Sequence, residues 1–474
     1  MKKISLLISV LFASASMASA QSSITPDVLK QLQQKQPVQA SDKAIRNAMA
    51  HASIATLATD ANALTMMDTH FTYRVPNKGI TDQKSSGRCW LFTGMNVLRS
   101  KAINTYSLKG LELSQNYLFF YDQLEKANLF LQGVIDTRKQ PMDDRLVDWL
   151  FSNPLSDGGT FCGVADLVKK YGVVPKEAMP ETYQSNSTSE ISRLLKLKLR
   201  EFGLELREKG NNTRTRQSDG MINEGLEKRK VEMLSEIYRI LTLAYGIPPT
   251  EFVYEQRDAK DQVVASDTYT PQSFYAKYWG DEDLYDNYIM VMNDPLREYY
   301  KTYQIEFDRH TYDGHDWVYL NLPVEEIKPM AVASIKDSTA MYFSCDVGKF
   351  LNRKDGTLRL DNFDYECLLG TTFGMNKSQR VQTHASGSSH AMTLVAVDVD
   401  TTATDLKCKK WMVENSWGAT SGYQGHLIMT DEWFDNYMFR LVVNRKYVEE
   451  KYLKMAKQKP TLLPAWDPMF LPEE

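Results

Sequence analysis

Gln83-Lys84-Ser85-Ser86-Gly87-Arg88-Cys89-Trp90 is the stretch from which the rest of this chain can be read. A polar, glycine-bearing loop gives way at Cys89 to an apolar run in which Trp90, Leu91, Met95, Val97 and Leu98 recur near helical spacing. A cysteine at such a junction lies at the positive end of a helix, which favours the thiolate, the nucleophilic form of the group. Gln83, on the same loop, can aim a side-chain N–H at an oxyanion forming beside that thiolate, a contribution of roughly 3–4 kcal/mol to a reaction barrier. Taken alone, a cysteine is as readily a small buried hydrophobe. The loop therefore needs partners.

Two later segments supply them. Ser388-Ser389-His390-Ala391-Met392-Thr393-Leu394-Val395-Ala396-Val397 reads as a strand that is apolar on both faces, hence central in its sheet, with His390 at its start. Lys410-Trp411-Met412-Val413-Glu414-Asn415-Ser416-Trp417-Gly418 reads as a strand ending in Asn415, and the stretch 398–409 between the two is polar and loop-like. If the strands pair antiparallel, the start of the first lies beside the end of the second. His390 and Asn415 are then neighbours, and the Asn carbonyl can hold the imidazole in one tautomer and orientation. Trp417 is placed to roof that bond. The remaining candidates weigh less. His384 falls in a polar loop and reads as solvated, and His426 follows Gly425 in a strand-like run and reads as packing. Asp313-Gly314-His315-Asp316 reads as a turn. Cys162, just after Asp157-Gly158-Gly159, reads as a cleft-lining residue.

The bulk properties bound the answer. A chain of 474 residues calls for two or three packed subdomains, and 43% hydrophobic with 24% charged residues is the balance of an ordinary globular protein. A net charge of −4 offers no electrostatic case for nucleic acid. Lys2-Lys3, the apolar run from Ile4 to Ala13 and the small residues Ala18-Ser19-Ala20 have the layout of a cleavable secretory signal. The expected destination is the periplasm or the exterior, without stable membrane association. Five irregularly spaced cysteines argue against a dense disulfide framework, and with no CxxC or HExxH motif neither a metal nor another cofactor is expected.

Along the chain, Ser41-Asp42 marks a helix start and Leu113-Ser114-Gln115 opens a helix rich in Leu, Tyr and Phe. Val164 to Tyr171 reads as a short helix closed by Gly172. Residues 188–245 read as exposed charged helices. After about residue 325 short β-branched runs such as Met330–Ile335 and Met392–Val397 read as strands. The expected fold class is α+β, with a helical front and a sheet-like back.

These residues resemble the papain superfamily, whose nucleophile region is usually written C-G-[SA]-C-[WY]. Here it is Ser86-Gly87-Arg88-Cys89-Trp90, without the upstream cysteine. About 300 residues separate Cys89 from His390, against roughly 130–150 in compact members, so a large insertion is implied. Both departures match the bleomycin hydrolase and bacterial aminopeptidase C family. Gln83–Phe92, Leu113–Phe120, Asp157–Gly159, His390–Val397, Val413–Gly418 and the final Leu463-Pro464-Ala465-Trp466-Asp467-Pro468-Met469 are similar to its text.

The resemblance implies a papain-like fold, with a helical left domain, a β-barrel-like right domain, a large helical insertion and a C-terminal arm. The layout is a signal peptide over 1–20, a helical extension over 21–64 and a helical domain with the nucleophile over 65–185. The helical insertion covers 186–290, the β-rich domain with His and Asn covers 291–450, and the arm covers 451–474. It also implies a homohexamer acting on peptides as a cysteine aminopeptidase, through a thioester acyl-enzyme. In that scheme Cys89 attacks, His390 shuttles protons, Asn415 orients it, Gln83 stabilises the oxyanion, and Gly158 and Gly159 run along the substrate backbone beside Trp417. The tail Phe470-Leu471-Pro472-Glu473-Glu474 is more acidic and Pro-stiffened than the family's usual ending. The alternative is a cysteine endopeptidase or an acyl-transferring amidase, should the arm not gate the cleft.

Overall fold

Ten consecutive buried residues, His390–Val399, form the strand around which the sheet is built. Burial on both faces is what its continuous apolar run dictates. It pairs antiparallel with Met341–Cys345, His390 opposite Cys345, and with Cys408–Glu414, Thr393 opposite Glu414. Tyr73–Arg74 adds a short antiparallel partner at Val397 and Ala396. Beyond Cys408–Glu414 lies His426–Thr430. On the other side follow Met438–Asn444, Tyr288–Met292, Val318–Asn321, Lys301–Ile305 and, at the edge, Thr461–Leu463. The computed structural model describes residues 23–35, 39–62, 67–76, 78–211, 218–280, 282–467 and 469. The expected signal peptide and the last five residues of the tail lie outside these.

The helical half precedes the sheet in sequence. Cys89–Tyr106 buries most of its surface, including both Arg99 and Asn96, and packs directly on the His390 strand. A helix apolar nearly all round belongs in an interior, and this one separates the two halves. Gln115–Asp136 starts at Ser114, whose hydroxyl accepts the Tyr117 N–H at 3.1 Å. Phe161–Tyr171 ends at Gly172, where φ of +71° suits a residue without a side chain. Ser189–Gly210 buries Leu195, Leu199, Phe202 and Leu206, one stripe at helical spacing, and lies with Asp219–Tyr245 against Gln115–Asp136. The α+β class expected from the sequence is the class of the structure.

Two local readings need correction. Met330–Ile335 is not a strand but the second half of helix Val324–Lys336, which buries Val324, Ile327, Ala331, Ser334 and Ile335 along one face. A short apolar run is compatible with either period, and the Glu325-Glu326 start, which suits a helix N-terminus, outweighs the β-branched residues. In the stretch 186–290, read as a helical insertion, the helices are interrupted after Tyr245. A hairpin of Phe252–Arg257 and Val263–Tyr269 follows, then helix Pro271–Trp279 and strand Tyr288–Met292. Along Phe252–Arg257 half-buried and exposed residues alternate, the period of a strand covered on one side.

The chain divides into two units, one of residues 1–63 with 363–373 and one holding everything described so far. Among the described residues the smaller unit contains helices Pro26–Lys35, Ala40–Met49, Ile54–Ala58 and Tyr365–Leu369. Its parts are tied by the bridge between Thr59 and Phe363 and by the Asp364 N–H to Ala58 O bond at 2.7 Å.

Candidate active site

Cys89 is the first residue of its helix and is fully buried, and that helix packs on the His390 strand. The loop before it is anchored at several points. Arg88, itself buried, pairs with Glu181 through both terminal nitrogens, at 2.9 and 3.2 Å, and its Nε donates to Ser86 Oγ at 3.0 Å. A bidentate guanidinium–carboxylate pair fixes orientation as well as position. On the other side of Cys89, the Trp90 indole N–H donates to Asp157 O at 2.8 Å, joining the Cys89 helix to the Asp157-Gly158-Gly159 loop.

The His390 and Asn415 strands pair in the expected sense, and the side chains meet: His390 Nε2 lies 2.9 Å from Asn415 Oδ1. Because an amide oxygen only accepts, Nε2 carries the proton and Nδ1 is the nitrogen left to face a thiol. The Trp417 ring stands 5.0 Å from the imidazole, centroid to centroid, and covers the bond. Both partners are buried, His390 at 3% and Asn415 at 2% exposure. Gln83 is drawn to the same place. Its N–H donates to Ser416 O at 2.8 Å, its Oε1 accepts the Ser416 hydroxyl at 2.6 Å, and its Nε2 donates to Ser86 O at 2.7 Å. With Asp82 bridging Trp417, and the Gly418 N–H on Thr81 O at 3.1 Å, the loop before Cys89 is zipped onto the Asn415 segment.

Gly158 and Gly159 border a cavity of about 450 Å³ with an apolar lining that includes Trp149, Phe307 and Trp466. A side chain at Gly159 has no room, since its Cβ would fall 2.2 Å from His310 Cε1 and 2.8 Å from Trp90. The other sequence candidates are placed elsewhere. Cys162 is buried, with its sulfur 3.0 Å from Thr160 Oγ1, and burial pushes its thiol well up, so it stays protonated. His384 is exposed on its loop, at the edge of the same cavity. His426 is buried, its Nδ1 3.0 Å from Gln424 O. His315, in the 313–316 turn, is 2.6 Å from Asp166. Among the described residues no group of three His, Cys, Asp or Glu is arranged to hold a metal ion, and no disulfide joins any of the five cysteines.

The family described as Peptidase C1-like matches residues 23–470. This chain belongs to that family. It is 38% identical to the bleomycin hydrolase of Homo sapiens over 411 residues, covering 84% of this chain and 88% of that protein. Against aminopeptidase C of Lactobacillus delbrueckii subsp. lactis it is 36% identical over 408 residues, 85% of this chain and 88% of that protein. The crystal structure of PepW from Lactobacillus rhamnosis HN001 superposes with a TM-score of 0.88 at 35% identity, covering 95% of this chain and 99% of the other. The protein is thus a papain-like cysteine peptidase.

Several features of this peptidase were not visible in its sequence. Arg99, ten residues after Cys89 on the same helix, forms a buried ion pair with Glu414 at 2.5 Å, immediately before Asn415, and also donates to Gly79 O at 2.9 Å. The arm is pinned as well. Thr461–Leu463 pairs parallel with Lys301–Ile305, Asp467 pairs with Arg297, and Arg440 donates to Met469 O at 2.8 Å. Arg145 lies 4.3 Å from the ring centre of Trp466. The only sequence signal for these contacts was a set of charged residues inside otherwise apolar stretches.

Proposed function

We propose that this protein is an exported cysteine aminopeptidase that hydrolyses peptides from a free N-terminus through a thioester acyl-enzyme. The reading rests chiefly on the covered His390–Asn415 bond, lying where the loop before Cys89 is zipped to the Asn415 segment. In this scheme the Cys89 sulfur attacks the scissile carbonyl carbon as a thiolate paired with the His390 imidazolium. The oxyanion is received by the second amide N–H of Gln83, the first being occupied by Ser86 O, together with an N–H at the helix N-terminus. His390 then gives its Nδ1 proton to the leaving amine, and the C–N bond breaks to leave the thioester. It next takes a proton from water, and hydrolysis releases the acid and returns the thiolate. Asn415 holds the ring in place throughout, and Gly158-Gly159 pairs with the substrate backbone.

Restriction to free N-termini is assigned to the arm. Ala465, Trp466 and Asp467 line the same cavity as Gly158 and Gly159. A carboxylate delivered there by the arm would pair with a substrate ammonium and obstruct longer chains. Assembly as a homohexamer is part of the reading, in keeping with exposed apolar residues such as Leu243, Ile247 and Val253. Export rests on the N-terminal twenty residues, and no helix among the described residues is long and apolar enough to cross a membrane.

The deciding experiment compares wild type with Cys89→Ala on matched short peptides, with free and with acetylated N-termini, under reducing conditions. Cleavage of only the free-amine peptide, abolished in the variant, is the expected result. Cleavage of the acetylated peptide as well would replace the gated aminopeptidase by an endopeptidase, and transfer to an added amine would point to an amidase. Activity surviving in Cys89→Ala would end the thiol mechanism.

A further inference from the structure

Beneath the Gly158-Gly159 loop runs a chain of buried charged groups that the chemistry above does not use. Asp122 and Lys126 stand one turn apart on Gln115–Asp136 and both face inward, Asp122 with no exposed surface. The Lys126 ammonium has three protons and three acceptors: Asp122 Oδ2 at 2.9 Å, Ser156 O at 2.9 Å and Gly158 O at 2.7 Å. Asp122 Oδ1 lies 2.5 Å from His310 Nδ1, and the Thr160 N–H points at His310 Nε2 at 3.4 Å. Gln123 Nε2 adds a second bond to Ser156 O at 3.0 Å, and Trp90 holds Asp157 O. Three successive carbonyls before Gly159, and the amide after it, are thus gripped from below.

The protonation states agree with this wiring. Burial raises the Asp122 carboxyl, but the Lys126 and His310 groups beside it outweigh burial and hold it below the ordinary value. Burial first, and the Lys126 charge second, push His310 down, so the ring is neutral. Its Nδ1 proton then goes to Asp122, and its Nε2 lone pair accepts from Thr160. Such a buried pair is poor evidence for stability, because apolar residues of the same volume often serve as well. What apolar residues cannot do is hold carbonyl oxygens in fixed positions.

We propose that Lys126, backed by Asp122 and His310, is a positioning residue that fixes the Gly158-Gly159 loop at the register in which it pairs with the substrate backbone. The proposal rests on the thiol-peptidase reading. Its placement explains why Gly159 and Gly163 carry no side chain: a Cβ at either would meet the His310 ring, at 2.2 and 2.4 Å.

The test uses the full-length enzyme carrying Lys126→Arg, and separately the charge-neutral pair Asp122→Asn with Lys126→Met. Neither leaves a buried carboxylate without a counter-charge, so both are suited to fold. A guanidinium is planar and cannot direct donors along three tetrahedral directions. Two readouts are compared with wild type: steady-state cleavage of a short free-amine peptide, and alkylation of Cys89 by iodoacetamide, which needs the thiolate but no backbone pairing. KM is expected to rise by about ten-fold or more, with a smaller change in kcat. Alkylation should stay within about two-fold of wild type. An unchanged KM in either folded variant overturns the proposal, as does a parallel loss of alkylation and cleavage, which marks a general structural role. If Cys89→Ala still cleaves, the thiol reading has failed. If it does not, while the Lys126 variants keep their KM, only the positioning role has failed.

Discussion

Replacing Asn415 by Ala removes the acceptor 2.9 Å from His390 Nε2. Both side chains are almost entirely buried, so water cannot substitute without entering beneath Trp417. A hydrogen bond to a charged group contributes about 1.5–3 kcal/mol, and the imidazolium is the form that pairs with the thiolate. At about 1.4 kcal/mol per decade this predicts a loss of roughly 10- to 150-fold in kcat/KM. Trp417 still limits rotation of the ring, which favours the lower part of that range. The substitution also has a folding cost. Asn415 Oδ1 accepts the Ser416 N–H at 2.8 Å, and a buried donor left unpaired costs about 1–3 kcal/mol. The assay is therefore kcat/KM on an aminoacyl amide across about pH 5 to 9, with thermal melts of the same samples to confirm the folded fraction. Asn415→Asp serves as the control, since it restores an acceptor and adds a negative charge. A carboxylate beside an imidazolium raises the imidazole pKa, so the alkaline limb of the profile should move to higher pH. If folded Asn415→Ala keeps activity within about two-fold, or if the Asp variant shifts the limb downward, orientation by this bond is not part of the mechanism.

Three further outcomes are expected. Arg99→Met or Glu414→Gln alone leaves a partner unbalanced in the core and should destabilise by about 3–5 kcal/mol, whereas Arg99→Met with Glu414→Met should recover much of that, measured by denaturant unfolding. Gly159→Ala forces a methyl into His310 and Trp90 and should cut kcat/KM by about 100-fold with a lowered Tm; normal activity would mean the loop yields easily. Arg229 first, and Lys209 after it, hold the Glu205 carboxyl down at about 2, against an ordinary 4.5, with burial opposing them. Its contribution is fully present above about pH 4.5 and is lost as pH falls towards about 2, so Glu205→Gln should flatten the acid limb of Tm against pH.

The candidate site was legible because it is written in short, local signals. A loop turning into an apolar helix at Cys89, and two strands whose antiparallel pairing joins His390 to Asn415, need only periodicity and the polar link between them. The same local rules failed at Met330–Ile335, where six residues fit either period and the acidic helix start decided the outcome. They were silent on the charged groups inside the fold. Arg99 finds Glu414 across 315 residues of chain, and Asp122 finds His310 across 188. Nothing near either member announces its partner, because a buried charge is tolerated only where the closed fold brings a counter-charge and enough hydrogen bonds. The candidate set Cys89, His390 and Asn415 was thus legible from neighbours along the chain. The bond from Asp122 to His310, and the zipper from Gln83 to Ser416, exist only once the helical and sheet-rich halves have closed on each other.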